Sequence, residues 1–378
     1  MRSVLFIMPS LPGGGAEKVL IDILKRLDRN KYRISLFLEY REGEYVKAIP
    51  DDIAVYYLFK QSNIWIERFH RGLRLVGLYH LFHSGVICKS ILRVKFKRKR
   101  FDTIVSFMEG EAVRLHSYLL DKSENNVSWV HIDFQKKHWS ADYFRSNAQE
   151  ESIYTALQRI IFVSSAAFDS FLRLFQKVDA SKCRVIFNLI DKDEIVRQSL
   201  LNEIKKDRFT ICMAGRLNQQ KRYDRALRLI KALSDKSIDV ELWILGEGEL
   251  REILMSLASE LGILDRCRFW GFVKPPYPYM RAADIYLNTS EAEGYPLVLC
   301  EALCLGLPIV ATDITGAHEI LEDSKYGLLV PEEDDLILKG VERLIVDNGF
   351  REYYKQKAKE RSEYFSVQTV LQMIDSVL

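Results

Sequence analysis

Four charged residues stand where they could do chemistry. Glu293 and Glu301 lie eight positions apart in Ser290-Glu291-Ala292-Glu293-Gly294-Tyr295-Pro296-Leu297-Val298-Leu299-Cys300-Glu301. That segment follows the apolar run Ile285–Asn288 and leads into an apolar helix expected to stop at Gly306 and Pro308. Pro296 suits the first turn, where its missing N–H costs nothing. Glu293 then falls in the loop before the helix and Glu301 about two turns inside. Unpaired N–H groups at a helix start, with the macrodipole behind them, make an anion site suited to phosphate. A carboxylate on a buried helix needs a partner, and ribose hydroxyls would serve for Glu301. Taken alone, such a segment is more often a strand–loop–helix unit with capping acids.

The cations come from a second loop, Ala214-Gly215-Arg216-Leu217-Asn218-Gln219-Gln220-Lys221, again directly after a strand-length run. Arg216 offers a planar fork to phosphate oxygens and Lys221 a compact point charge, a pair that can grip a diphosphate. A solvated basic loop has the same composition. Leu245-Gly246-Glu247-Gly248-Glu249-Leu250 is a glycine turn of the kind that serves packing as often as ligands.

Elements must position these loops, and the pattern around them is regular. Strand-length apolar runs (Val4–Met8, Ile34–Leu38, Val55–Phe59, Phe101–Phe107, Val127–Val130, Ile160–Val163, Val185–Phe187) alternate with helix-period segments such as Ala16–Leu27, Glu111–Leu120 and Ala166–Phe175. The second half repeats the alternation with Phe209–Met213, Val240–Leu245, Cys267–Phe272, Ile285–Asn288 and Pro308–Ala311. Continuous apolar runs suit strands buried on both faces, and the alternation predicts α/β, doubly wound architecture. The chain's 378 residues suggest two domains of roughly 150–200 residues each. The charged stretch Leu200–Arg208 places the boundary: residues 1–200 form the first domain and 201–363 the second, with a terminal helix over 364–378 packing back on the first. Two such domains facing each other would put a cleft at the carboxyl ends of their strands, where ligands bind in doubly wound sheets.

In this order, the three loops resemble the retaining glycosyltransferases of family 4, which have the GT-B fold: two Rossmann-like domains facing a central cleft. The matching stretch runs through GRLNQQKRYDRALRLIKAL, WILGEGELREIL and GFVKPPYPYMRAADIYLNTSEAEGYPLVLCEALCLGLPIVATDITGAHEIL. The Glu–x7–Glu spacing beside Arg216 and Lys221 is its specific part. In the first half, Pro12-Gly13-Gly14-Gly15-Ala16-Glu17-Lys18 resembles the family's glycine-rich acceptor-domain loop, and Trp129-Val130-His131-Ile132-Asp133 its strand-end histidine. Asn188-Leu189-Ile190-Asp191 resembles an Asn-Gly-Ile-Asp element, with Leu189 where glycine is usual.

The resemblance implies that Arg216 and Lys221 hold the donor diphosphate and Glu301 the ribose. Glu293 would contact the transferred sugar, with backbone N–H groups around Gly294, Tyr295, Pro296 and Leu297. Gly14 and Gly15 would let backbone approach the donor phosphates, and His131 would serve beside Glu293 as a catalytic residue. It also implies a nucleotide-sugar donor, uridine being the family's commonest base, and transfer with retention and without a metal or other cofactor. The acceptor would be a glycan or lipid-linked saccharide of cell-surface polysaccharide. His70, His80, His83, His116, His138 and His318 have no such support and are expected to be structural. Asp51-Asp52 and Glu332-Glu333-Asp334-Asp335 lack the Asp-x-Asp form of metal-dependent transferases and suit solvated surface. A catalytically idle nucleotide-sugar-binding subunit and another GT-B enzyme, an epimerase or phosphorylase, are the rival readings.

Composition agrees with an intracellular globular protein. Hydrophobic residues make up 48% and charged residues 28%, and the net charge of +3 does not single out a nucleic-acid binder. Six cysteines form no CxxC pair and most sit in apolar runs, which favours a reducing, cytoplasmic compartment over a disulfide framework. No uncharged run of about 20 apolar residues occurs, so no membrane span is expected. The stretch Trp65–Arg100, however, carries ten Lys and Arg against Glu67, interleaved with Trp65, Phe69, Leu73, Leu78 and Phe82. An apolar face beside a cationic one suits a helix on an anionic membrane surface, here the inner face of the cell membrane. A helical hairpin with a solvated basic face, or attraction to nucleic acid, would use the same residues.

Overall fold

The computed structural model describes residues 1–60, 85–136 and 138–378. These residues fall into two compact units, the first comprising Met1–Leu189 with Gln368–Leu378 and the second Ile190–Val367.

In the first unit, β1 (Arg2–Met8), β2 (Tyr32–Tyr40), β3 (Ala54–Phe59), β4 (Thr103–Ser106), β5 (Asn125–Val130), β6 (Arg159–Phe162) and β7 (Cys183–Val185) form one sheet in the order β3-β2-β1-β4-β5-β6-β7. The second unit's sheet has the order β10-β9-β8-β11-β12-β13, from β8 (Phe209–Ala214), β9 (Val240–Leu245), β10 (Cys267–Gly271), β11 (Ile285–Asn288), β12 (Ile309–Thr312) and β13 (Leu328–Val330). Pairing is parallel throughout both; β1 for example runs in register with β2 from Arg2↔Tyr32 to Met8↔Leu38. Val4–Met8 is wholly buried, which is why it reads as a continuous apolar run; Val240–Leu245 is equally buried and is interrupted only by Glu241, which pairs with Arg268.

Each sheet's order reverses beside its first strand, and the loops after β1, β4, β8 and β11 leave from that point. Doubly wound sheets bind ligands there. Helices Gly15–Arg26, Glu111–Ser117 and Ser165–Leu174 begin within one residue of where the sequence predicts them. The terminal helix is shorter than expected, Val367–Asp375, and the chain end is pinned to the first sheet: Thr103 Oγ1 donates to the Leu378 carbonyl at 2.5 Å. Leu189 has no positive φ, so the backbone there makes no demand for glycine.

All six cysteines are free and buried. No helix among the described residues is long and apolar enough to cross a membrane. Of the basic stretch, residues 65–84 lie outside the described residues, and with them His70, His80 and His83. Its described end is the helix Gly85–Lys95 and the residues after it. There Cys88, Leu92 and Phe96 pack into the core with Leu5, Ile7 and Phe37, while Lys89, Arg93, Lys95 and Lys97 to Arg100 are exposed. The apolar stripe of this part therefore faces the core, and what it shows to solvent is charge together with Ile91 and Val94.

Candidate active site

In the second unit, two strand-end loops carry the predicted residues and are sewn to each other. Glu291 N donates to the Gln220 carbonyl (3.0 Å), and the Gln220 side chain donates to the Ala292 carbonyl. Thr289 Oγ1 donates to the Lys221 carbonyl at 2.9 Å. This stitching brings Lys221 Nζ to 2.5 Å from Glu293 Oε2, with both side chains mostly shielded from solvent. Asn288, the last residue of β11, donates through Nδ2 to Glu293 Oε1 at 3.0 Å and accepts from Ser290 N through Oδ1. Burial works to raise the Glu293 pKa, but the Lys221 charge and the hydrogen bonds from Asn288 and Lys221 overcome it. The carboxyl is held below its ordinary range.

The helix after this loop runs Leu297–Cys304, with Pro296 as its N-cap rather than in its first turn, and no side chain caps it. Glu301 is buried on that helix and accepts from Tyr277 OH at 3.2 Å. The partner that its burial demands is thus supplied within the chain, by a tyrosine whose Pro-Tyr-Pro-Tyr context gave no signal. Arg216 is exposed and lies on the loop of Lys221. Gly246 is a packing residue: at φ +143° its backbone sits where a Cβ would come 2.0 Å from the Gly215 carbonyl oxygen. Gly316 went unnoticed in the sequence, yet a Cβ on it would meet the Glu293 carbonyl oxygen at 2.6 Å. The start of the helix Thr315–Leu321, which follows β12, thereby buttresses the Glu293 loop.

In the first unit, Gly14 is the N-cap of the helix Gly15–Arg26, and a Cβ on it would lie 2.4 Å from a Glu17 carboxylate oxygen. His131 follows β5. Its backbone N–H donates to Glu109 Oε2 at 2.9 Å, and its ring donates to the Phe107 carbonyl. The ring's Nε2 is buried and has no partner among the described residues, so the donor is Nδ1 and Nε2 keeps a lone pair. Burial pushes the ring down to a pKa of about 4, which keeps it neutral.

The other described histidines have partners. His116 is buried between Ser106 and Asn126, His138 lies 2.7 Å from Glu150, and His318 sits between Asp313 and Asp323. Of the acidic pairs, Asp52 pairs with Arg29, while Glu332 and Asp334 pair with Arg225 and Arg228.

The family model Glycosyltransferase Family 4 matches residues 13–194, and Glycosyl transferases group 1 matches residues 193–361. The chain belongs to the family 4 glycosyltransferases.

A Campylobacter jejuni glycosyltransferase, named as an N-acetylgalactosaminyltransferase acting on a diacetylbacillosaminyl-diphospho-undecaprenol saccharide, is 35% identical over 190 residues. That match spans about half of each protein, 50% of this chain and 51% of the relative. A second C. jejuni α-1,4-N-acetylgalactosaminyltransferase is 24% identical over 97% of this chain and 95% of its own length. An Anabaena protein solved with UDP and glucose superposes with a TM-score of 0.79 at 22% identity, over 100% of this chain and 99% of that one. WaaG, a glycosyltransferase involved in lipopolysaccharide biosynthesis, superposes at 0.73 with 16% identity over 99% of both. The fold of this glycosyltransferase is accordingly GT-B.

Proposed function

We propose that this glycosyltransferase moves a sugar from a UDP-sugar to a lipid-linked saccharide during assembly of a cell-surface polysaccharide, with retention and without a metal. The observation that carries the reading is the ion pair of Lys221 with Glu293 at 2.5 Å, within the spacing that also supplies Glu301. As the sugar–phosphate bond breaks, negative charge grows on the departing diphosphate. A cation already fixed in place stabilises that charge without rearranging. Lys221 is held by Glu293, and exposed Arg216 supplies a second cation on the same loop. Glu301, held by Tyr277, serves the ribose. Glu293 serves the sugar, and Gly14 and Gly15 leave room for the donor phosphates. The buried, unpartnered Nε2 of His131 has a lone pair that a sugar hydroxyl could donate to once brought against it.

A UDP donor is supported by the UDP complexes of the Anabaena protein, and a diphospho-undecaprenol acceptor by the names of the Campylobacter relatives. We further propose that the two domains divide as acceptor and donor domains, and that the exposed cations of 89–100 attract an anionic membrane at the inner face of the cell, without a role for nucleic acid. Thermal shift against a panel of nucleotide sugars tests the donor, since a bound donor raises apparent stability by mass action. One UDP-sugar should stand out. A panel in which no nucleotide sugar or UDP shifts the transition would overturn the reading.

A further inference from the structure

Glu109 has no assigned role, yet it is 1% exposed, lies in the loop after β4 and, among the described residues, pairs with no basic side chain. Its carboxyl is held instead by neutral donors, the backbone N–H of His131 at 2.9 Å and the side chain of Trp139. It therefore grips both ends of the segment 131–139, the loop that leaves β5 and carries His131. A buried carboxylate held without a cation is costly, which marks it as a candidate for function.

We propose that Glu109 is the positioning residue of His131, fixing its backbone so that the unpartnered Nε2 is held at one place. The inference rests on the transferase reading for what His131 does, and on the first unit's own geometry for the rest. Trp139 N–H and His131 N–H are both donors, so an ionised Glu109 holds them more strongly than a protonated one. Burial pushes the Glu109 carboxyl up to about 7, against the lowering effect of the His131 bond. Of the groups around it, Glu150 on the helix Asn147–Ala156 adds negative charge that raises it further. Glu150 is itself bound by His138 and Ser140. Tyr154 of the same helix is kept neutral by burial, the His131 ring is neutral, and Glu111 and Arg114 on the helix that follows pair with each other. The grip on His131 should thus weaken as pH falls through about 7.

Two measurements on the full chain test this. With selectively labelled histidine, one backbone amide should titrate with a midpoint near 7 in the wild type and not in Glu109→Gln. Donor turnover should fall on the acid side in the wild type. In Glu109→Gln, whose amide oxygen still accepts the His131 N–H, it should be flat with pH and lowered a few-fold. Glu109→Ala should lose about a hundredfold in kcat with little change in donor KM, the scale expected when a reacting group is misplaced. If the amide titration persists in Glu109→Gln, or the two pH profiles coincide, the proposal is overturned. A wild type that cleaves no nucleotide sugar would sink the transferase reading instead, while the histidine titration would still report whether Glu109 governs His131.

Discussion

Lys221 Nζ and Glu293 Oε2 lie 2.5 Å apart, joining the loop after β8 to the loop after β11. Neither loop is ordered by this contact alone, because Gln220 and Thr289 already bind the backbones to each other. The pair sets where one positive charge sits, and Asn288 fixes the carboxylate from its other side.

Removing one partner leaves the other partly buried and unpaired. Lys221→Ala or Glu293→Ala should each lower stability by about 3 kcal/mol, while Lys221→Met with Glu293→Gln should recover much of that loss and none of the activity. Urea unfolding of the four proteins gives the coupling directly. Because the folded Glu293 pKa is lowered, its contribution is present above its ordinary pKa and is lost as pH falls below it.

Stability should respond to acid through groups far from the donor loops. Burial lowers the His116 pKa from 6.5 to about 4, so its contribution is full above pH 6.5 and is lost on acidification towards 4. The shift corresponds to about 3 kcal/mol. His131 acts in the same direction. Glu109 is opposite in sign: its pKa is raised from 4.5 to about 7, so its contribution is full below 4.5 and lost as pH rises through 7. Glu109→Gln should therefore show a steeper fall in stability between pH 7 and 4 than the wild type, and His116→Gln a shallower one, in thermal melts across that range.

Tyr277→Phe removes the hydroxyl that holds Glu301 and should cost about 1–2 kcal/mol. Since Glu301 is assigned to the nucleotide, donor KM should rise several-fold with kcat nearly constant, for every donor tested. A kcat effect confined to one sugar would argue against that assignment.

Gly316→Ala places a methyl 2.6 Å from the Glu293 carbonyl oxygen and should cost about 1–3 kcal/mol through overpacking. Its signature is a loss of turnover without any change to a charged residue, measured beside the melting temperature.

Replacing Lys97, Arg98, Lys99 and Arg100 by neutral residues should weaken retention on vesicles containing anionic lipid at physiological salt. Polybasic attraction of this kind is about 1 kcal/mol per charge near the surface. Unchanged retention would place the attraction elsewhere or remove it.

Much of this was legible in the sequence because it depends on local pattern. Buried parallel strands announce themselves as largely unbroken apolar runs; Glu293, Arg216 and Lys221 stand on loops that such strands end in, and Glu301 on the helix that follows one of them. β13 escaped notice because a three-residue strand, Leu328–Val330, is too short to show a period. Tyr277, Glu109 and Gly316 escaped for another reason. Each acts on a residue distant in sequence, through a hydroxyl, a carboxyl and a missing Cβ, and none of these leaves a periodic trace. At the described end of the basic stretch, Cys88, Leu92 and Phe96 meet the protein's own core, a stripe that by pattern alone reads the same against lipid, while the apolar residues Trp65 to Phe82 lie outside the described residues.

The central claim is that Lys221 and Glu293 form the donor site of a working transferase. Its most direct test is UDP release from a panel of UDP-sugars without acceptor, by the wild type and by Glu293→Gln, with donor Kd measured alongside. The wild type should slowly release UDP from one donor. The variant should be slower by about a hundredfold with Kd changed only a few-fold, as expected for a group that acts on the reacting sugar. A wild type that binds a donor but releases UDP no faster than Glu293→Gln would contradict the claim and leave an idle nucleotide-sugar-binding subunit.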